Sequence, residues 1–109
     1  EVEEGLTDML LWLTSLPDFT KWQHFGRPEQ GIMDEQGNQH RADLLVREPD
    51  AITIVEYKTG GQDPAHKQQV RRYLNLLNAM PAYDNCALLG TIIYLDSRET
   101  VDVTLSTGA

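Results

Sequence analysis

A single cysteine, Cys86, stands among 109 residues, so the chain closes no internal disulfide and builds no multi-cysteine metal site or cysteine-ligated iron–sulfur cluster. Basic residues are scarce. Nine Lys and Arg face seventeen Asp and Glu, a net charge of −8 at pH 7. Proteins that bind nucleic acid ordinarily carry a basic footprint, so composition taken alone argues against DNA. Long apolar runs are also missing, and nothing approaches the roughly 20 residues of a membrane span. What is present is ordinary for a soluble globular protein: 40% apolar and 24% charged residues, with no internal repeat or low-complexity tract. Cytoplasmic residence is the expectation. The length suits one domain, residues 1–109, with a single core. Opening on Glu1 rather than Met, the chain reads as a piece of a longer protein.

The informative stretch runs from Arg41 to Tyr73. Ile52 to Lys58 (I-T-I-V-E-Y-K) reads as a strand, rich in β-branched residues and bounded by Glu48-Pro49-Asp50 and Thr59-Gly60-Gly61. Strand side chains alternate between faces, which places Glu56 and Lys58 beside Ile52 and Ile54. A carboxylate and an ammonium on an otherwise apolar face need a reason, because burying unpaired charge is costly. Leu44-Leu45-Val46 reads as the preceding strand, begun by Asp43. The short connection Arg47 to Ala51 suits a hairpin that brings Asp43 to Glu56. Two carboxylates and a lysine converging on a strand pair can serve metal-assisted phosphodiester hydrolysis. Asp43 and Glu56, with the backbone carbonyl of Tyr57, offer the oxygen ligands that Mg²⁺ or Mn²⁺ takes. Lys58 would orient a water or offset charge growing on the phosphate.

His40-Arg41-Ala42-Asp43-Leu44-Leu45-Val46, then Ile54-Val55-Glu56-Tyr57-Lys58-Thr59-Gly60, then Gln69-Val70-Arg71-Arg72-Tyr73 resembles the nuclease domain of RecB-like exonucleases. That domain belongs to the PD-(D/E)XK superfamily and is found at the C-terminus of UvrD-type helicases such as RecB and AddA. The family's three motifs stand here in order, and Gly90 to Asp96 resembles the strand that follows them. The resemblance implies an α/β fold with a restriction-endonuclease-like core, its mixed central β-sheet flanked by helices. It implies an Mg²⁺- or Mn²⁺-dependent deoxyribonuclease of exonuclease type, acting in DNA repair or recombination beside a helicase of the same polypeptide or complex. In its terms Asp43 and Glu56 bind metal, Lys58 assists the reaction, and Gln69 and Tyr73 shape the site. Two departures stand out. Ala42 replaces the superfamily's proline, and no upstream helix carries the family's histidine ligand in its G-x-x-x-H-like setting. The rival expectation is a catalytically inactive nuclease-fold module serving DNA or subunit contacts.

The rest of the chain supplies scaffold and secondary candidates. Glu1 to Leu16 reads as an amphipathic helix with Leu6, Met9, Leu10, Leu13 and Leu16 on its buried stripe. His24 is a candidate to replace the missing histidine ligand. Gly26 to Ile32 reads as a strand in which Glu29 is a candidate for the site's rim, and Asp34 to Asn38 as a hairpin turn. Arg41, on the face alternation gives Asp43, is a candidate phosphate contact. Asp63-Pro64 opens a helix reaching about Met80, with Asp63 as N-cap. Gln69 and Tyr73 project from one side of it. His66, Lys67, Arg71 and Arg72 make it the chain's basic segment, and Lys67, Arg71 and Arg72 are candidate DNA contacts. Ala87 to Leu95 and Val101 to Leu105 complete an expected order of α, β, β, β, α, β, β.

Overall fold

The computed structural model describes residues 2–33 and 36–105, leaving aside the side chains of residues 2–4, 6, 29, 30 and 33. Five strands form one sheet in chain order: β1 (Gly26–Met33), β2 (Gln39–Arg47), β3 (Ala51–Lys58), β4 (Ala87–Tyr94) and β5 (Glu99–Thr104). All neighbours pair antiparallel except β3 and β4, which are parallel and joined by helix α3 (Pro64–Asn78). A parallel pair needs such a crossover. The result is an α/β fold whose mixed sheet carries helices on both faces.

The β-branched run of β3 is buried on both sides because it sits at the middle of the sheet. Ile52 and Ile54 pack with Val70, Tyr73, Leu74 and Leu77 of α3, and with Ile92 and Tyr94 of β4. Val55 points the other way, joining Val46, Ile93 and Trp22. Trp22 comes from α2 (Phe19–Phe25), which follows α1 (Val2–Ser15) across the turn at Leu16 to Asp18. The sequence reading did not resolve α2 as a separate helix. The buried stripe of α1 is also rotated from the expected one. Trp12, Leu13 and Leu16 touch the sheet-side cluster, whereas Leu10 is 50% exposed. Leu6 falls outside the described side chains.

α3 begins as its sequence demands. The Asp63 carboxylate accepts the Ala65 N–H at 2.9 Å, and Pro64 fills the first position, where its missing N–H costs nothing. Gly90 lets the helix lie close to β4, since a Cβ there would meet Val70 Cγ1 at 2.4 Å. Of the expected turn at 34–38, Asp34 and Glu35 lie outside the described residues. Gly37 has φ +85°, the left-handed conformation for which glycine suits. A short 3₁₀ turn, Pro81–Tyr83, leads from α3 towards β4.

Candidate active site

The β2–β3 pairing runs from Arg47↔Ile52 to Leu44↔Val55 and then stops, with Asp43 next in register to Glu56. Side chains take over from the backbone ladder there. The Asp43 N–H donates to Glu56 Oε1 at 2.9 Å, and the Tyr57 N–H donates to Asp43 Oδ2 at 2.9 Å. Each carboxylate is therefore oriented by an amide of the opposite strand. These bonds leave the second oxygen of each carboxylate outside them.

β2 also changes phase at this point. Ala42 belongs to the cluster under α3, while Leu44, two residues on, packs with the α2 side. Regular alternation would give both residues one face, so the strand turns about its axis at Asp43. Arg41 is exposed and pairs with Gly31, while its neighbour His40 lies against Tyr73 with ring centroids 6.2 Å apart. Arg41, between His40 and Ala42, thus stands on the side away from α3.

Glu56 is 3% exposed, on the α3 side. Burial raises its pKa and the nearby Asp43 charge adds to that rise. The Asp43 N–H and the Lys58 ammonium pull it down, and the balance is about 7. Lys58 is near enough to act on Glu56 electrostatically. The Lys58 carbonyl accepts the Leu95 N–H at 2.9 Å. The Tyr57 hydroxyl is also raised, by burial and then by Asp43.

Gln69 and Tyr73 tie α3 to the strand that carries Asp43. Gln69 Nε2 donates to the Tyr73 hydroxyl at 3.2 Å, and that hydroxyl donates to the Arg41 carbonyl at 2.9 Å. Burial raises the Tyr73 pKa, with the Glu56 charge next in weight. An open cleft of about 340 Å³ runs past this relay, lined by His40, Ala65, Gln68, Gln69, Arg72 and Tyr73. Of the basic candidates on α3, Arg72 borders that cleft, Lys67 is exposed, and Arg71 is half-buried with its Nε unpartnered among the described residues. His24 is exposed at the end of α2, edge-on to Phe25, in the layer covering the opposite face of the sheet. Glu29 falls between the pairs Pro28↔Leu44 and Gln30↔Ala42, a register position facing Asp43, and its side chain lies outside the described residues.

The sequence reading missed one pair near the site. His66 Nδ1 lies 2.9 Å from the Tyr94 hydroxyl, and buried Tyr94 pairs with Lys58 across the parallel ladder. No local pattern links residues 28 positions apart.

Asp43 and Glu56 are the side chains that could hold a hard divalent cation here. Two convergent carboxylates, one buried and held near its neighbour at an electrostatic cost, are complementary to an oxygen-seeking cation that completes its shell with water and substrate. Among the described residues no third His, Cys, Asp or Glu joins them. No family model matches the chain, and no curated protein matches it. Among solved structures, the crystal structure of SSO0001 superposes with a TM-score of 0.47 at 22% identity, covering 91% of this chain and 50% of that one. The chain thus spans about half the length of that protein.

Proposed function

We propose that this chain is a divalent-metal-dependent deoxyribonuclease domain of the RecB-like branch, with a PD-(D/E)XK core. One observation carries the reading: where the β2–β3 ladder opens, the Glu56 carboxylate accepts the Asp43 N–H and the Asp43 carboxylate accepts the Tyr57 N–H, with Lys58 beside them. A structural ion pair needs one carboxylate and one base. This arrangement instead brings together two carboxylates, which repel unless a proton or a cation lies between them. Asp43 and Glu56 would hold Mg²⁺ or Mn²⁺, with the Tyr57 carbonyl as a third oxygen. Bound there, the ion supplies an activated water and charge neutralisation at a scissile phosphate. The Lys58 ammonium faces the charge that grows on the phosphate oxygens. Tyr73, held by Gln69, fixes the Arg41 carbonyl and so the strand that presents Asp43. Exonuclease-type action on DNA opened by a linked UvrD-type helicase, in repair or recombination, fits a −8 chain that leaves strand gripping to a neighbour.

The net charge favours a second reading, a nuclease-fold module that contacts DNA or a subunit without cleaving. Calorimetric titration with Mn²⁺ and Mg²⁺, paired with digestion of single-stranded DNA, separates the two. The nuclease reading expects metal binding that Asp43→Ala or Glu56→Ala abolishes. Lys58→Ala should retain the metal but lose about 10²–10³-fold in cleavage rate, the usual scale for one charge-stabilising donor. Metal binding without cleavage supports the module, and no metal binding sinks both metal roles.

A further inference from the structure

A second feature of the α3 side runs along β1, with its two arginines towards the Arg47 end of β2. Arg27, Gly31, Ile32, Leu45, Arg47, Leu77, Met80 and Tyr83 enclose a pocket of about 190 Å³. Its construction follows from register. Arg27 pairs with Leu45, and Leu45 shares a face with Arg47 two residues on, so both guanidiniums stand over the same apolar floor. The Arg47 guanidinium lies 5.3 Å from the Tyr83 ring centroid, which holds its plane at the pocket wall. Among the described residues neither arginine forms an ion pair with a carboxylate, although acids outnumber bases almost two to one in this chain. A charge on an edge strand such as β1 can simply discourage strand-to-strand association. That purpose needs no second arginine and no apolar cavity between them.

We propose that this pocket takes one nucleotide of a DNA strand, its phosphate between Arg27 and Arg47 and its base on the floor of Leu45, Leu77 and Met80. Guanidinium pairs suit phosphate because each offers a planar fork of donors. The cavity is below the roughly 300–1,000 Å³ of pockets for drug-sized ligands, which suits a single base rather than a dinucleotide. Charge complementarity selects the occupant: two unpaired cations on an acidic chain attract a polyanion locally while the rest repels it. Arg47 lies four residues along β2 from Asp43, about 13 Å at strand rise. At 3.4 Å per stacked nucleotide, that is about four nucleotides. The pocket would anchor the strand at that distance from the carboxylate pair. The nature of the ligand rests on the nuclease reading, but the pocket's binding is measured without cleavage.

The test uses fluorescence anisotropy of a short labelled oligothymidylate with Asp43→Ala protein in EDTA, over a range of salt. Adding Arg27→Gln and Arg47→Gln should weaken binding by tenfold or more and flatten the logarithmic salt slope by about 0.7, the single-strand value for one lost phosphate contact. Lys21→Gln, on the other face of the sheet, should leave the affinity at 0.15 M salt unchanged, where only neighbouring charges count. Thymidine monophosphate should compete better than inorganic phosphate, and Tyr83→Leu should reduce that preference. Should the double variant fail to fold, Arg47→Ala alone must still weaken binding and lower the slope. Unchanged affinity and slope overturn the proposal, as does equal competition by inorganic phosphate. Loss of binding in the arginine variants, alongside wild-type protein that never cleaves, would support the pocket and reject the nuclease.

Discussion

Glu56 is a carboxylic acid placed where its ionised form is penalised, and that penalty has a sign and a pH window. Its pKa rises from 4.5 to about 7 on folding, chiefly through burial. Below about pH 4.5 both folded and unfolded chains carry the proton, and Glu56 contributes nothing to the pH dependence. Between 4.5 and 7 the folded chain holds a proton that the unfolded chain has lost, so stability falls as pH rises. Above 7 the loss is complete, at most roughly 3 kcal/mol at 1.36 kcal/mol per unit. Thermal melts without divalent metal should therefore show Tm falling by several degrees from pH 5 to pH 8, and Glu56→Gln should flatten that part of the curve. If Glu56 holds the metal of the proposed function, Mn²⁺ competes with the same proton and should raise Tm at pH 8 far more than at pH 5.5. A Glu56→Gln protein as pH-sensitive as the parent would remove Glu56 as the cause.

At the scale of elements, α3 connects the sheet to the site, and its seat on β4 depends on the absence of a side chain at Gly90. A Cβ there would lie 2.4 Å from Val70 Cγ1 and 3.3 Å from the Val103 carbonyl. Val70 is fully buried and stiff at χ1, so it cannot swing aside freely. Gly90→Ala should cost about 1–3 kcal/mol by overpacking, and Val70→Ala added to it should recover part of the loss, as denaturant midpoints would show. A fully additive double variant would mean that the two sites do not touch in solution. These elements were largely legible in the sequence because their signals are local. β-Branched alternation marks β3, Asp63-Pro64 starts α3, and Glu48-Pro49-Asp50 turns β2 into β3. What escaped reading is long-range. The phase change at Asp43 comes where side chains replace the ladder, and an alternation count carries straight through it, giving Ala42 and Leu44 one face. The His66–Tyr94 pair and the Asp96 carboxylate, which accepts the Gly60 N–H at 2.6 Å, join segments that only the folded sheet brings together. The second helix, α2, is seven residues long, too short to show a stripe of its own.

For the whole molecule the governing quantity is the −8 charge, set against the polyanionic strand of the proposed function. The candidate contacts Lys67, Arg71, Arg72, Arg27 and Arg47 act locally, but the field of the acids reaches as far as salt allows. The molecule measures 47 × 28 × 28 Å. At 0.01 M salt the Debye length is about 30 Å, so acids on any face oppose an approaching strand, whereas at 0.15 M it is about 8 Å and only neighbours count. Asp8 on α1 and Asp102 on β5 are exposed and remote from the carboxylate pair in sequence and element. Replacing both with Asn leaves −6 without touching α3 or β2. Single-stranded DNA should then bind several-fold more tightly at 0.01 M salt, chiefly through a faster on-rate, with the gain fading by 0.15 M. Stopped-flow fluorescence with a labelled oligonucleotide at the two salt concentrations measures this directly. A gain that persists at high salt would mean those acids sit in the DNA path itself. No gain at either salt would mean the strand never engages this acidic surface, and would count against DNA as the ligand of the isolated chain.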